Sequence, residues 1–140
     1  MRVMVLVKSS PETEAGQMPT EQELAEMGKY NEALANAGIM LDGEGLHSSS
    51  KGVRIDFSSE GTTSVTDGPF AETKELLAGF WLWKVESMDE AVEWAKKAPF
   101  GDGAQLELRQ VFDDEDFGEA FTPELREQEQ RIREQSQTQQ

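Results

Sequence analysis

The segment from Gly79 to Glu86 is predicted to form a strand that is apolar on both faces. Successive side chains of a strand point to opposite faces of its sheet. Trp81 and Trp83 therefore lie on one face, while Phe80 and Leu82 lie on the other. At about 25 cal/mol per Å² of apolar surface, leaving either tryptophan in water would forfeit several kcal/mol. Both faces of this strand must be covered, which constrains the fold more than any other feature of the chain.

The first strand of the chain, Val3–Lys8, has the same two-sided pattern. Valines occupy its odd positions, and Met4 and Leu6 lie between them. In a two-layer domain the helices cover only one face of the sheet, so the second face needs another cover. A second copy packed face to face is the simplest cover. The two strands therefore predict a homodimer whose sheets meet.

Two helices with clear start signals alternate with these strands. Thr20 followed by Glu23 forms a capping box at the start of the first helix, and Gly38 is a natural terminator for it. Ser87 followed by Glu90 forms a second capping box. We expect each helix to bury one apolar stripe against the sheet.

The remaining elements complete an α+β pattern. A second strand opens at Ile39–Leu41, a last strand covers Leu106–Arg109, and Val53–Ser58 with Thr62–Thr66 forms an inserted β-hairpin. The charged segment Ala71–Leu77 is compatible with a short helix. Without the hairpin, the order strand–helix–strand occurs twice. This order predicts a ferredoxin-like α+β fold in which the first and third strands are central.

Composition narrows the class of protein. The chain has 140 residues, enough for one core and too few for two, and it contains no cysteine. The absence of cysteine excludes disulfides and thiol catalysis and fits a cytoplasmic protein. No stretch is long and apolar enough to span a membrane. The formal net charge of −15 argues against binding to nucleic acids and to anionic membranes.

The acidic charge is concentrated after the last strand. Asp113–Asp116 is an uninterrupted acidic run, and almost every residue after it is polar. Thr122 and Pro123 provide an N-cap followed by proline at the first helical position. We therefore expect an α+β domain over residues 1–112 and an acidic, polar, helical tail over residues 113–140.

Three segments give the chain a family resemblance. Val65–Glu75, which contains the sequence Asp-Gly-Pro-Phe, resembles the YCII-related family, in the branch called DGPF proteins. Gly43–His47 and Met88–Ala95 match the same pattern. The resemblance runs from residue 1 to about residue 112, and it implies a dimeric α+β barrel.

The resemblance implies little about activity, because most DGPF proteins have none assigned. Some related YCII proteins have a histidine–aspartate pair proposed for acid–base chemistry, and one such relative is a dehydrochlorinase. That histidine lies near the first helix of the family pattern, where this chain has no histidine. The pair is therefore not transferred to this chain.

Asp67 and His47 are the candidate catalytic residues. Asp67 either presents its carboxylate into a cleft or bonds to the backbone of its own turn, which Gly68 and Pro69 make rigid. His47 is the only histidine of the chain. Imidazole titrates near neutral pH and so suits proton transfer. A lone histidine in a serine-rich turn is also typical of a surface residue.

Glu44, Lys74 and Phe70 are the candidate ligand-binding residues. Glu44 lies between two glycines that allow another backbone to approach closely. Lys74 is either a solvated charge or the partner of a carboxylate, and Phe70 anchors the turn. We expect Glu44, Lys74 and Asp67 to converge in one pocket, with His47 near its rim.

The sequence leaves three functions open. The first is a homodimer that binds a small polar or aromatic molecule. The second is a cofactor-independent acid–base enzyme, that is, a lyase, isomerase or hydrolase. The third is a non-catalytic interaction module that uses the acidic tail. One histidine with scattered carboxylates does not form a known ligand set, so no metal is predicted, and no cofactor motif is present.

Overall fold

A computed structural model of the chain describes residues 1–138. Within that range, six strands and four α-helices are formed. The strands are β1 (Arg2–Lys8), β2 (Met40–Gly45), β3 (Val53–Phe57), β4 (Thr63–Asp67), β5 (Leu77–Lys84) and β6 (Leu106–Gln110). The helices are α1 (Pro11–Glu14), α2 (Glu21–Asn36), α3 (Met88–Ala95) and α4 (Pro123–Thr138).

Four of the strands form one antiparallel sheet in the order β2-β5-β1-β6. The predicted central strands are thus confirmed, since β1 and β5 lie in the middle. In the register of this pair, Val3 lies opposite Trp83 and Val5 lies opposite Trp81. Directly paired residues share a face of the sheet, so these four side chains form one apolar layer. The mixed α+β fold and its ferredoxin-like strand order agree with the sequence prediction.

The helices α2 and α3 cover that apolar layer. The buried core consists of sheet residues and of the helix residues that pack on them: Val3, Val5, Tyr30, Leu34, Ile39, Trp81, Trp83, Val85 and Ala91. Both tryptophans therefore lie beneath the helices. On the opposite face, Leu6 pairs with Phe80 and Met4 pairs with Leu82, and all four are half-buried. This second apolar layer is the one for which the sequence requires another cover.

Local sequence signals position the helices. Thr20 accepts a hydrogen bond from the Glu23 backbone and Glu23 accepts one from Thr20, which is the predicted capping box. At the start of α3, Ser87 accepts from the Glu90 backbone as predicted, but the Glu90 carboxylate accepts from the Glu86 N–H instead of the Ser87 N–H. Both helices begin where their caps indicate.

The inserted hairpin forms a separate two-stranded sheet. β3 and β4 pair antiparallel, with Ile55 opposite Val65 and Val53 opposite Asp67. The alternation of apolar and polar residues over Val53–Ser58 predicts a half-exposed strand, but every residue of both strands is exposed, and the exposed fraction of Phe57 reaches 82%. The hairpin therefore presents an uncovered apolar face.

The segment between β4 and β5 contains little helix. Only Thr73–Glu75 forms a single 3₁₀ turn in the stretch from residue 71 to residue 77. The short helix considered from the sequence is thus reduced to one turn. This turn leaves Lys74 exposed.

Residues 111 to 138 form a compact unit of their own. A 3₁₀ segment, Asp114–Ala120, precedes α4, which starts at the proline predicted to occupy the first helical position. Phe117 contacts Phe121 at a ring-centroid distance of 5.5 Å, and the Arg126 guanidinium lies 5.2 Å from the Phe121 ring. The last two residues of the predicted tail, 139 and 140, lie outside the described residues.

Candidate functional site

A cavity of about 390 Å³ opens between α2 and the paired ends of β2 and β5. We call it the aromatic cavity. Its lining is mostly apolar, with one amide and two carboxylate residues: Val7, Pro19, Glu23, Leu24, Met27, Asn31, Gly43, Glu44, Gly45, Ala78, Gly79, Phe80, Trp81, Pro99 and Phe100. Small-molecule sites commonly combine an apolar wall with a few polar groups.

Trp81 is the best-fixed wall of the aromatic cavity. Its indole Nε1–H donates to the Asn31 Oδ1 at 2.9 Å. Its ring makes edge contacts with Tyr30 and Phe100 at centroid distances of 5.7 and 6.1 Å. A Cβ on Gly43 would lie only 2.7 Å from the Trp81 Cδ1, so a glycine is needed where the indole crosses β2. The wall is therefore held from three sides.

Tyr30 supports this wall as a neutral phenol. It is 8% exposed, and its hydroxyl donates to the Trp94 carbonyl oxygen at 2.6 Å. Burial disfavours the charged phenolate and raises the pKa of Tyr30 to about 12. Tyr30 therefore joins α2 to α3 and stays protonated at neutral pH.

A second cavity of about 810 Å³ is lined mainly by polar residues from α1, the loop after it and the segment after β2. We call it the polar cavity. Its ionisable residues are Glu12, Glu14, Glu23, His47 and Lys51. The two cavities share the lining residues Pro19, Glu23, Gly45 and Ala78, so they adjoin along the end of the sheet. A third cavity of about 430 Å³ lies beside Ser9–Thr13 and the loop before β6.

The turn containing the Asp-Gly-Pro-Phe motif supports the wall of the polar cavity. The Ser49 backbone N–H donates to the Glu14 carboxylate, and the Ser49 Oγ–H donates to the same carboxylate at 2.5 Å. The Ser49 Oγ in turn accepts from the Phe70 N–H at 3.0 Å. The Gly68 N–H donates to the Gly52 carbonyl oxygen at 2.9 Å. The motif thus fixes the segment that carries Ser48, Ser50 and Lys51 into the polar cavity.

The predicted site residues are divided among several places. Glu44 borders the aromatic cavity and His47 borders the polar cavity, and both are exposed. Asp67, Phe70 and Lys74 border none of the three cavities. None of these three cavities is therefore bordered by Glu44, Asp67 and Lys74 together. The hairpin forms a sheet of its own, in which Asp67 pairs with Val53, so strand pairing does not hold Asp67 beside β2.

Each of the remaining three residues has its own surroundings. Phe70 is half-buried, and the Arg54 guanidinium lies 3.8 Å from its ring centroid, as in a cation–π contact. Asp67 lies opposite Val53 and so shares the apolar face of the hairpin, where it is exposed. Lys74 is exposed on its 3₁₀ turn. Phe70 thus has a visible structural role as the anchor of its turn.

Sequence reasoning missed Asn31, Phe100 and Glu23 as cavity residues. Asn31 follows Met27 by four positions and Leu24 by seven, so it lies on the apolar stripe of α2. An amide on an apolar helix face needs a hydrogen-bond partner, and this requirement could have marked Asn31 as a candidate site residue. Phe100 follows Pro99 in a loop and gave no such signal.

The described residues also bear on metals and membranes. Between residues 1 and 138 no three side chains of histidine, cysteine, aspartate or glutamate lie close enough together to hold a metal ion. In the same range, no helix combines the length and the apolar character that crossing a bilayer requires.

Together, the sheet order, the two covering helices and the cavities at the sheet end define a ferredoxin-like α+β domain with an inserted hairpin. The chain belongs to the YCII-related domain family, whose match covers residues 1–115.

Two individual proteins are similar to parts of this chain. An uncharacterized protein of Rhizobium meliloti (strain 1021) is 58% identical over 38 residues, which are 27% of this chain and 31% of that protein. The match thus spans about a third of the length of that relative. A solved structure of 5-chloro-2-hydroxyhydroquinone dehydrochlorinase from Burkholderia phenoliruptrix AC1100, in complex with 2,5-dihydroxybenzoquinone, aligns with a TM-score of 0.43 and 16% identity. That alignment covers 81% of this chain and 96% of the enzyme.

Proposed function

We propose that this protein, a DGPF-type member of its family, binds a small aromatic molecule in the groove formed by the aromatic and polar cavities. The observation that carries this proposal is the fixed indole of Trp81, which together with Phe100 in edge contact with it borders the aromatic cavity. A wall that is already ordered loses little entropy when a ligand binds, so pre-organisation favours binding. The volume of about 390 Å³ suits a ligand of one or two rings.

The adjoining polar cavity supports a ligand with polar substituents. Glu12, His47 and Lys51 provide acceptors and donors along the same groove. A molecule whose ring occupies the aromatic cavity would direct its substituents toward these groups. Under this proposal Glu44 contributes its carboxylate to the ligand site from the edge strand β2, while Phe70 acts by holding its turn.

Binding can be tested by thermal shift with a library of small aromatic compounds. A ligand that binds only the folded state raises the melting temperature. Phe100→Ala removes one wall of the cavity and should abolish the shift. Phe57→Ala is the matched control, because Phe57 lies on the exposed hairpin. Hits that shift both variants equally would contradict binding in the aromatic cavity.

We further propose that the protein works as a homodimer in the form of an α+β barrel. Two apolar surfaces support this: the half-buried sheet face of Met4, Leu6, Phe80 and Leu82, and the exposed hairpin face. Sedimentation at micromolar concentration tests it, with Leu82→Glu expected to dissociate the dimer because it places a charge in the buried layer. A folded monomer of the unaltered chain at every concentration would refute the dimer.

An acid–base enzyme is the second candidate, and the position of His47 favours it. His47 borders the polar cavity beside Glu12 and Lys51, where a bound substrate would lie within its reach. Asp67 lies on the apolar hairpin face, so its participation requires a second copy to cover that face. His47→Gln distinguishes the two candidates: turnover of a bound hit would be lost in an enzyme, while a pure binding protein would show no turnover before or after the change.

A further inference from the structure

We propose that the Asn31 amide orients the ligand, and that the aromatic cavity selects an uncharged aromatic molecule carrying a carbonyl or hydroxyl oxygen. This inference rests on the proposed binding function and specifies its ligand class. Three features of the described residues carry it. They are the hydrogen bond between Trp81 and Asn31, the accessibility of the amide nitrogen of Asn31, and the charges that line the cavity.

The bond to Trp81 fixes which end of the Asn31 amide faces the indole. An indole N–H only donates, so the Asn31 atom 2.9 Å away must be the oxygen. The amide is planar, and its nitrogen therefore points away from Trp81. Trp81 itself is packed between Tyr30 and Phe100 and cannot turn to release the amide.

The amide nitrogen of Asn31 remains available as a donor. Among residues 1–138 it has no hydrogen-bond partner, yet it is not among the buried polar atoms that lack one, which are the Ser9 Oγ and the Trp83 Nε1. It is therefore accessible, and the residue that carries it borders the aromatic cavity. The two N–H groups of this amide are thus free to donate to an acceptor on a molecule bound in the aromatic cavity.

The charges of the lining exclude anionic acceptors. Glu23 and Glu44 border the aromatic cavity, and none of its fifteen lining residues is lysine, arginine or histidine. A carboxylate ligand would lose hydration and meet charges of its own sign, which is unfavourable. A neutral carbonyl or hydroxyl oxygen satisfies Asn31 without that cost.

Three probes of similar shape test the ligand class. Acetophenone carries a neutral acceptor, ethylbenzene lacks it, and benzoate carries a charged one. Each is titrated into ¹⁵N-labelled protein while the Trp81 indole N–H signal is followed. We expect acetophenone to bind roughly three- to tenfold more tightly than ethylbenzene, the worth of one neutral hydrogen bond. Benzoate should bind more weakly than acetophenone.

Two matched variants locate the effect. Asn31→Asp keeps an oxygen for the Trp81 indole but replaces the N–H₂ donors with a second oxygen, so the preference for acetophenone should disappear while ethylbenzene binding is unchanged. Asn36→Asp makes the same chemical change on an exposed residue of α2 and should leave the preference intact. The comparison of the three probes on the unaltered protein does not depend on either variant.

The outcomes separate this inference from the function on which it rests. Equal affinity for acetophenone and ethylbenzene, or a preference that survives Asn31→Asp, would overturn the role of Asn31 while binding in the cavity stands. If benzoate bound best, the exclusion of anions would be wrong. If no probe moved the Trp81 signal, the proposed function would fail together with the inference.

Discussion

Gly68 lies so close to Ser49 that no side chain fits between them. A Cβ built on Gly68 would clash with the carbonyl oxygen of Ser49 and would lie 2.7 Å from its carbonyl carbon. Both atoms belong to the backbone, so neither can swing aside. The glycine of the Asp-Gly-Pro-Phe motif is thus required by a backbone-to-backbone contact.

Gly68→Ala should therefore destabilise the domain by about 1–3 kcal/mol, the usual cost of forcing extra atoms into a packed position. Chemical denaturation measures the change. Gly101→Ala is the control, since a Cβ there meets nothing within 4 Å and its loop is exposed. Equal stability of the two variants would show that the turn moves freely.

The stability of the protein should fall as the pH rises from about 10 to about 12. The pKa of Tyr30 is raised to about 12 by burial, while the unfolded chain titrates near its ordinary value of 10.0. Between these values the folded state holds the proton more tightly, so raising the pH favours unfolding, by up to about 2–3 kcal/mol.

Tyr30→Phe separates this effect from other alkaline titrations. The variant should lose the part of the decline that comes from the phenol, at the cost of the bond to the Trp94 carbonyl. Tyr30 is the only tyrosine of the chain, so its ionisation can also be followed directly by ultraviolet absorbance. A midpoint near 10 in the folded protein would contradict the raised pKa.

Trp83→Ala should damage the core of a single subunit and cost about 3–5 kcal/mol. Trp83 is fully buried beneath the helices, and its removal leaves a large cavity. Trp83→Phe should cost much less, because the buried Trp83 Nε1 has no hydrogen-bond partner among the described residues. Leu82→Ala, one position along β5 on the opposite face, should affect association more than unfolding. Thermal denaturation and sedimentation measured together distinguish the two faces.

Truncation after Phe112 should leave a folded domain. Neither α4 nor the preceding 3₁₀ segment contains a buried residue, so the tail adds little to any core. We expect soluble expression and a melting temperature within a few degrees of the full chain. Loss of soluble expression would contradict this proposed domain boundary.

The strand order was predictable because the apolar pattern of the sequence is clearest in the strands whose side chains are most deeply buried. Alternation in β1 and β5 marked the two central strands, and the capping residues Thr20 and Ser87 marked the starts of α2 and α3. The face on which each tryptophan lies could not be read from alternation alone. Which face is buried within the subunit depends on the side of the sheet that the helices cover, and no local sequence pattern predicts that side.

The candidate site was predictable only in part. Glu44 and His47 do border cavities, because the end of β2 coincides with the end of the sheet. Asp67 ends the inserted hairpin and Lys74 follows it, and the turn after the hairpin is fixed by contacts such as Gly68 with Ser49. A contact between residues nineteen positions apart in the chain produces no local sequence pattern from which it could be predicted. Asn31 was missed, although a polar residue on an apolar helix face is a local pattern from which it could have been predicted.

The exposed hairpin has a consequence for handling the protein in solution. A two-stranded sheet has two free edges, and an apolar face with free edges is a template for uncontrolled association between chains. The net charge of −15 opposes this by keeping molecules apart. Acid that neutralises the carboxylates removes this repulsion, while Phe57, Ile55 and Val65 stay uncovered in every unpaired subunit. Colloidal stability should therefore be lost on mild acidification well before the fold itself is lost, with Phe57 at the centre of the first contacts.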